Sequence, residues 1–271
     1  MRTLDDSIIK QAQEFTARWG FLTRDLFFKF FCEKQRTQKF EYWNRLAGTG
    51  FFVKSKSNSE VLFLSRKSRS FFAGESRPSR FHVFIDHDAI VADILLTLER
   101  LDLVREYWLE DELMRDPPLA YRVLGADKVY RIPDLVFDLK TPTGGQVRCV
   151  LEIEKTLKTS ARYEKMALAY GDYDHINLVL FGCESSYTEL IIKRSFSASF
   201  GSFQRVVPGT FLYGDFLKSA LSAKVRFADK EFIFDKMLQL VTQQPIQNLN
   251  SKADLNRTAV RFRNSKAEEV G

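Results

Sequence analysis

Residues 147–155 read Val-Arg-Cys-Val-Leu-Glu-Ile-Glu-Lys, and this stretch decides the fold of the larger part of the chain. It predicts a β-strand over 147–154, because successive side chains of a strand point to opposite faces and apolar residues recur here at every second position. The predicted core face carries Val147, Cys149, Leu151 and Ile153. Glu152 and Glu154 share the other face, on a strand that is otherwise largely apolar.

A second predicted strand, over 128–140, pairs with the first through the turn Thr143–Gly144–Gly145. In that hairpin Asp134 faces Glu152 and Glu154, so three carboxylates converge at one edge of the sheet. Carboxylates held close together repel one another unless a cation lies between them. Mg²⁺ is commonly held by one or two carboxylates together with water and phosphate oxygens. The pattern therefore predicts a divalent metal site rather than solvent-facing acids paired with Lys155 and Arg131.

A helix predicted over 156–170 adds positive charge beside these acids. A metal ion with a lysine nearby can orient water and neutralise charge on a scissile phosphate. We expect Glu154 or Lys155 to help activate water, and Tyr163 and Tyr170 to serve packing rather than nucleophilic attack. The spacing of three, four and three residues places four cations on one helical face: Lys155, Lys158, Arg162 and Lys165.

Outward from this core the pattern alternates between strands and helices, which indicates an α/β (α+β) body with a mixed sheet. From Thr242 the sequence turns polar, and residues 246–271 are predicted to form a flexible tail. The remaining predictions are strands over 104–109, 176–183 and 205–207 and helices over 88–101, 186–199 and 215–222.

The first 80 residues differ from the rest in charge. They contain 16 basic and 8 acidic residues, whereas residues 81–271 contain 25 and 27. Such a concentrated basic field attracts polyanions, of which nucleic acid is the commonest. Three helices are predicted, the first capped by Asp5 or Asp6, the second by Thr23 and the third opening at Thr37. Two short strands, over 51–56 and 60–65, follow them. This order is typical of a winged helix-turn-helix domain.

In a winged helix the third helix enters the major groove, and the hairpin lies on the DNA backbone. We therefore expect one set of side chains to read base edges and another to contact phosphates. A small helical domain that binds protein remains the alternative for this part of the chain. The candidate DNA-binding residues are Arg36, Lys39, Asn44 and Arg45 on the helix and Lys54 and Lys56 on the hairpin.

Other features narrow the class of protein. The N-terminal residues are charged and polar, which excludes an ordinary signal peptide, and no apolar run approaches the length of a membrane helix. The three cysteines are widely spaced and odd in number, which indicates reduced thiols and a cytoplasmic protein with no membrane partner. The chain has three histidines and no His-x-His pair, which argues against a three-histidine metal centre.

Pro133-Asp134, together with Glu152-x-Glu154, resembles the PD-(D/E)-x-K phosphodiesterase superfamily, whose fold is that of restriction endonucleases. The resemblance implies a site for Mg²⁺ or Mn²⁺ on Asp134, Glu152 and Glu154. It also implies a further acid on or near the first helix, for which Glu110 or Glu112, after Tyr107-Trp108, is the best candidate. Glu154 stands where the family usually has lysine, so the catalytic lysine is Lys155 or Lys158.

The wider layout, over Ile8 to Leu217, is similar to the replication-relaxation family, which includes the MobC-type plasmid mobilisation relaxases. The similarity combines the N-terminal helices with His82, the stretch from Trp108 to Glu112, and the Arg162–Lys165 motif. It implies a relaxase that binds and nicks double-stranded DNA at an origin of transfer, with Arg162 and Lys165 on phosphates. Its implied protein partners are an accessory relaxosome protein and a coupling protein.

The predicted organisation is therefore a winged helix over 1–70, a linker over 71–80 and a restriction-endonuclease-like domain over 81–245. Two alternatives to the nickase stay open. One is a non-enzymatic plasmid replication or transcription regulator with a degenerate nuclease-like fold. The other is a protein-interaction scaffold, whose first 80 residues would bind DNA weakly and without dependence on salt.

Overall fold

The computed structural model describes residues 5–32, 36–72, 77, 82–115, 132–140, 146–171, 176–199, 207–227 and 230–242. The chain divides into two compact units, residues 1–96 and 97–271. The division falls inside a long helix, α5 (His82–Arg100), which extends six residues further toward the N-terminus than the predicted start at Asp88.

The first unit contains the three helices and the hairpin in the predicted order. Its helices are α1 (Asp6–Trp19), α2 (Arg24–Leu26), α3 (Arg36–Gly48) and α4 (Arg66–Phe71), and its strands are β1 (Leu22–Thr23), β2 (Phe52–Lys54) and β3 (Val61–Leu64). The strands form an antiparallel sheet in the order β1-β3-β2. The helix α4 occupies the first residue of the predicted linker, and most of the rest of that linker lies outside the described residues.

Local capping explains where the first helices begin. The Asp5 carboxylate accepts a hydrogen bond from the Ser7 amide at 2.8 Å, and Thr23 Oγ1 accepts one from the Leu26 amide at 3.2 Å. Gly20 ends α1 with a φ of 80°, a left-handed conformation that glycine adopts without steric cost. Thr23 was predicted as a cap, and of the two candidates Asp5 and Asp6 it is Asp5 that caps α1.

The second predicted helix is shorter than expected, and most of it is a π-helical turn. After α2 the chain continues as a π-helical turn, Phe27–Phe31, and does not reach the predicted end at Lys34. The reason lies in its aromatic packing, because Phe27 packs on Trp43 of α3 and stacks with Phe31. Phe27 and Trp43 are buried and join α2 to α3 within the core of the unit.

The second unit is built on one seven-stranded mixed sheet in the order β10-β9-β8-β7-β6-β5-β4. The strands β4, β5 and β6 are antiparallel neighbours, β6, β7 and β8 are parallel, and β9 and β10 return antiparallel. The strands are β4 (Val104–Leu109), β5 (Leu135–Lys140), β6 (Gln146–Glu154), β7 (Leu178–Cys183), β8 (Val207–Leu212), β9 (Lys224–Phe227) and β10 (Lys230–Ile233).

Helices cover both faces of this sheet. The first face packs against α7 and α8, whose buried side chains meet Val150, Val179 and Phe181. The opposite face packs against α9 and α10 through Phe211 and its aromatic neighbours. The helices of this unit, besides the end of α5, are α6 (Glu110–Arg115), α7 (Ser160–Gly171), α8 (Ser186–Ser199), α9 (Tyr213–Ser219), which continues as a 3₁₀ turn, Ala220–Ser222, and α10 (Phe234–Thr242).

Several predicted bounds agree with the structure and others do not. The strand over 104–109 and the helix over 186–199 agree to the residue. The pair β9 and β10 and the helix α10 were not predicted, because their strands are short and highly charged. The predicted strand at 128–131, the turn at 143–145 and the tail at 246–271 lie outside the described residues.

Candidate active site

The predicted carboxylates lie at one end of the second unit's sheet. Asp134 directly precedes β5, while Glu152 and Glu154 end β6. Leu135 pairs with Leu151, so the chain places Asp134 beside the Glu152 end of β6. The parallel neighbour of Glu154 is Cys183, the last residue of β7. In α/β sheets, ligands bind outside the carboxyl ends of parallel strands, which is where Glu152 and Glu154 stand.

Both glutamates of β6 are buried beneath α7. Glu152 is 3% exposed and Glu154 is 1% exposed. Side-chain alternation on β6 was predicted correctly, but the face that carries the acids is a second core face, covered by α7 and α8. A solvent-facing role for these two acids is therefore wrong.

Two tyrosines of α7 donate hydrogen bonds to these acids. The Tyr170 hydroxyl donates to Glu152 Oε1, and the Tyr163 hydroxyl donates to Glu154 Oε2 at 3.4 Å. The tyrosines are seven residues apart, or two helical turns, and the glutamates are two apart on one strand face. Tyr163 contacts Glu154 and the later Tyr170 contacts the earlier Glu152, so α7 runs back along β6.

The phenol of Tyr163 is a stable proton donor. Burial is the main cause that raises its pKa, to about 12, with the negative charge of Glu154 acting in the same direction and the Lys158 amide opposing it. That amide donates to the Tyr163 oxygen at 3.2 Å. Tyr163 therefore stays protonated near neutral pH, where it holds one oxygen of Glu154 in place.

Of the two lysines predicted as candidates, Lys158 contacts Glu154. The Lys158 ammonium donates to Glu154 Oε1, and both side chains are largely withdrawn from solvent. Lys155 is half-buried immediately after β6. Lys158 is thus the lysine that the fold brings directly to a predicted catalytic carboxylate.

The four predicted cations do not form one helical face. α7 begins at Ser160, because Thr159 Oγ1 caps the helix by accepting a hydrogen bond from the Arg162 amide at 3.4 Å, while the Thr159 carbonyl accepts the first helical bond from Tyr163. Lys155 and Lys158 consequently lie in the segment before α7. Arg162 and Lys165 are on the helix and are exposed.

Asp134 is tied to the backbone of β6. Its Oδ2 accepts a hydrogen bond from the Ile153 amide at 2.7 Å, beyond the last paired residue of β5. The carboxylate thus accepts from an amide that lies beyond the last residue pair of β5 and β6. Ile153, to which it is bound, stands between Glu152 and Glu154 in the chain. Asp134 is partly accessible, unlike Glu152 and Glu154.

Glu112 stands in the first turn of α6, where its Oε2 accepts a hydrogen bond from the Leu109 amide at 2.8 Å. Leu109 pairs with Leu135, so Glu112 lies at the same end of the sheet as Asp134. Glu112 thus caps α6, and this contact occupies its Oε2.

Asp138 shares a strand face with Asp134 but belongs to a different group. It is fully buried, and Arg148 donates to both of its oxygens at 2.8 and 2.9 Å. The same guanidinium lies 5.0 Å from the centroid of the Trp108 ring. This bidentate pair joins β5 to β6 and takes no part in the carboxylate group.

The donor set fits a divalent ion only in part. Among the residues that the structure describes, no three His, Cys, Asp or Glu side chains are grouped so that they could hold a metal ion. Glu154 is engaged at both oxygens, by Lys158 and Tyr163. The predicted three-carboxylate centre is therefore not assembled among the described residues.

The predicted DNA-contact residues of the first unit divide into two groups. Lys39 donates to the Phe28 carbonyl at 2.7 Å, and Arg45 pairs with Glu41 on the same helix. Asn44, Lys54 and Lys56 are exposed. The side chain of Arg36 lies outside the described part of the chain.

The sequence interpretation missed a second group of charges, which surrounds the buried carboxylate of Glu189. On α8, Glu189 is paired with Arg226 of β9 at 2.6 Å, and Arg226 also contacts Glu231 of β10 at 2.9 Å. Burial raises the pKa of Glu189, while Arg226 and Lys193 lower it. These residues are far apart in sequence, and the periodicity of α8 alone could not have paired them.

Comparison with family models, with curated proteins and with solved structures gives no match to this chain. No helix in the described ranges combines the length and the apolar character that crossing a membrane requires.

Proposed function

We propose that this protein is a divalent-metal-dependent DNA endonuclease that nicks one strand, acting as a plasmid mobilisation relaxase at an origin of transfer. One observation carries the proposal: two buried glutamates share a face of β6, with Lys158 bound to one of them and Asp134 anchored between them at the Ile153 amide. Burying two like charges so close together is costly. A chain has little structural reason to retain such a pair unless its chemistry is used.

The surrounding fold supports the proposal. A strand hairpin, β5 and β6, precedes the helix α7 and a strand parallel to β6. This is the context in which Pro-Asp and Glu-x-Glu resemble the nuclease superfamily. The first unit, with three helices followed by an antiparallel hairpin, supports a winged-helix interpretation and so a separate site for DNA.

Each residue of the site has a distinct proposed role. Asp134 and Glu152 would hold the metal, and a bound divalent ion would supply polarisation of the phosphate and a lower pKa of its water. The Lys158 ammonium, which Glu154 holds in place, would offset charge that develops on the phosphate. Tyr163 would hold Oε2 of Glu154, and Tyr170 would hold Oε1 of Glu152.

The test is conversion of supercoiled plasmid that carries the cognate origin to its nicked form in the presence of Mg²⁺ or Mn²⁺. We expect Glu152→Gln to reduce nicking by about 100-fold or more, as for removal of a group that stabilises a transition state. Asp215→Asn is the matched control, because Asp215 is an exposed acid on α9, on the other face of the sheet. Equal nicking by all three proteins would contradict the proposal.

A non-enzymatic DNA-binding regulator is the second candidate, and one observation favours it. Glu154 is neutralised internally, and no three-carboxylate group is assembled among the described residues. A regulator predicts sequence-specific binding with no cleavage in any divalent ion and no effect of Mg²⁺ on thermal unfolding. The nickase predicts a rise in unfolding temperature with Mg²⁺, because an ion that binds only the folded state stabilises it.

A further inference from the structure

The outer surface of α7 and α8 is a feature that the proposed chemistry does not use. Both helices pack on the same sheet face, through Tyr163, Met166, Ile192 and Phe196, among others. Their opposite sides are exposed and adjacent. We name this surface the α7–α8 face, and it comprises Arg162, Lys165, Leu168, Tyr187, Leu190 and Arg194.

The charge of the α7–α8 face suits a polyanion. Arg162, Lys165 and Arg194 are exposed, and their side chains have no ion-pair partner among the described residues. Glu164 is the one acidic side chain at the exposed, described positions of the two helices. Three available cations against one carboxylate give the surface a net positive charge, which favours phosphates.

Tyr187 adds an aromatic ring to this surface. It is 60% exposed, the largest exposure among the described large hydrophobic side chains of this unit. Its backbone is fixed, because Ser185 caps α8 by accepting hydrogen bonds from the Thr188 and Glu189 amides. A ring on a rigid backbone loses little conformational freedom when another planar group stacks on it.

The α7–α8 face begins at the same end of the sheet as the candidate active site. Arg162 is in the first turn of α7, which follows Glu154 in the chain. Tyr187 is in the first turn of α8, just after Cys183, the strand neighbour of Glu154. Both helices therefore begin at the end of the sheet where the carboxylates stand, and the α7–α8 face starts at that same end.

We propose that the α7–α8 face binds single-stranded DNA, with Arg162, Lys165 and Arg194 on successive phosphates and Tyr187 stacked on an unpaired base. The inference rests on the proposed function and specifies its substrate as DNA that is locally unpaired beside the nick. A single strand is preferred to a duplex because an exposed ring can stack only on a base that has left its own stack. Basic grooves with aromatic platforms are the usual means of holding single strands.

The experiment measures fluorescence anisotropy of a labelled oligo(dT) of about 20 nucleotides, long enough for a typical single-strand site. The full chain is used without divalent metal, so the result does not depend on cleavage. We expect Tyr187→Ala to weaken binding about 5- to 50-fold and Tyr187→Phe to retain it, as for one stacked base. Arg162→Ala with Arg194→Ala should weaken binding and reduce its salt dependence.

The matched control is Lys236→Ala, which removes an exposed cation from α10 on the opposite face of the sheet. Unchanged affinity for this control, with weaker binding by Tyr187→Ala, supports the proposal. Equal affinity of the wild type and Tyr187→Ala overturns it, as does an equal loss of affinity for duplex DNA. Failure of nicking by the wild type would instead overturn the nickase and leave this binding result intact.

Discussion

At the scale of single residues, the contacts of Glu154 explain how a buried carboxylate is retained. It has a cation, Lys158, on one oxygen and a phenol, Tyr163, on the other. An ionised group withdrawn from water is tolerable only when it is paired and hydrogen-bonded. Each partner therefore has a separate and measurable consequence.

Substitution of the two candidate lysines distinguishes their roles. Lys158→Gln removes the cation bound to Glu154, and we expect nicking to fall by about 100-fold, the effect typical of a lost electrostatic group at a reaction centre. Lys155→Gln should change nicking by less than about 5-fold, because the ammonium that donates to Glu154 Oε1 is that of Lys158. Gel assays of supercoiled plasmid measure both rates, and a larger loss in Lys155→Gln would reverse the assignment.

Tyr163 predicts a specific dependence of stability on pH. Its pKa is about 12 in the folded protein and near 10 in an unfolded chain, so the folded state holds the proton more tightly. Stability from this group is complete below pH 10 and is lost as pH rises toward 12. Urea unfolding between pH 8 and 11 should show a steeper decline for the wild type than for Tyr163→Phe. Parallel declines of the two proteins would contradict this.

At the scale of secondary-structure elements, the parts that could be predicted are those determined locally. Asp5 and Thr23 cap helices through atoms two or three residues away, and the strand over 104–109 is marked by its composition. The start of α7 was placed too early, at Thr156, because the spacing of the cations suggested one continuous helix. The pairing of Tyr170 with Glu152 depends on how α7 packs on β6, and no local pattern contains that information.

The link between α8, β9 and β10 gives a prediction at this scale. Arg226→Met leaves Glu189 buried without its cation, which we expect to lower the free energy of unfolding by about 3 kcal/mol at pH 7. The double variant Arg226→Met, Glu189→Gln should recover part of the loss. Because burial raises the pKa of Glu189, the penalty should shrink as pH falls toward 5 and the acid takes up a proton. Urea titrations of the wild type and the two variants measure these free energies. A penalty that does not change with pH would contradict the assignment of the effect to an ionised Glu189.

At the scale of the whole molecule, the net charge of +6 conceals an uneven distribution between a basic first part and a nearly neutral remainder. That division and the mixed α/β architecture of the larger part were both evident from composition and periodicity. The sequence predicted which carboxylates lie together in the candidate site, but not the side chains that contact them. Asp134, Glu152 and Glu154 do share one end of the sheet, but the side chains that cover them come from a helix whose packing is non-local.

The basic first unit predicts how DNA affinity should respond to salt. If Lys54 and Lys56 contact phosphates from the hairpin, these two contacts alone should weaken binding of the full chain to a duplex about 10-fold between 50 and 200 mM salt. Alanine at both positions should reduce the slope of log K against log salt by about 2.

Lys39→Ala is the matched control. The Lys39 ammonium already donates to the Phe28 carbonyl, so its removal should leave the slope unchanged. Filter binding over a salt series measures the slopes. A weak affinity with no salt dependence would favour a protein-interaction scaffold, and a loss confined to Lys39→Ala would place the DNA on α3 rather than on the hairpin.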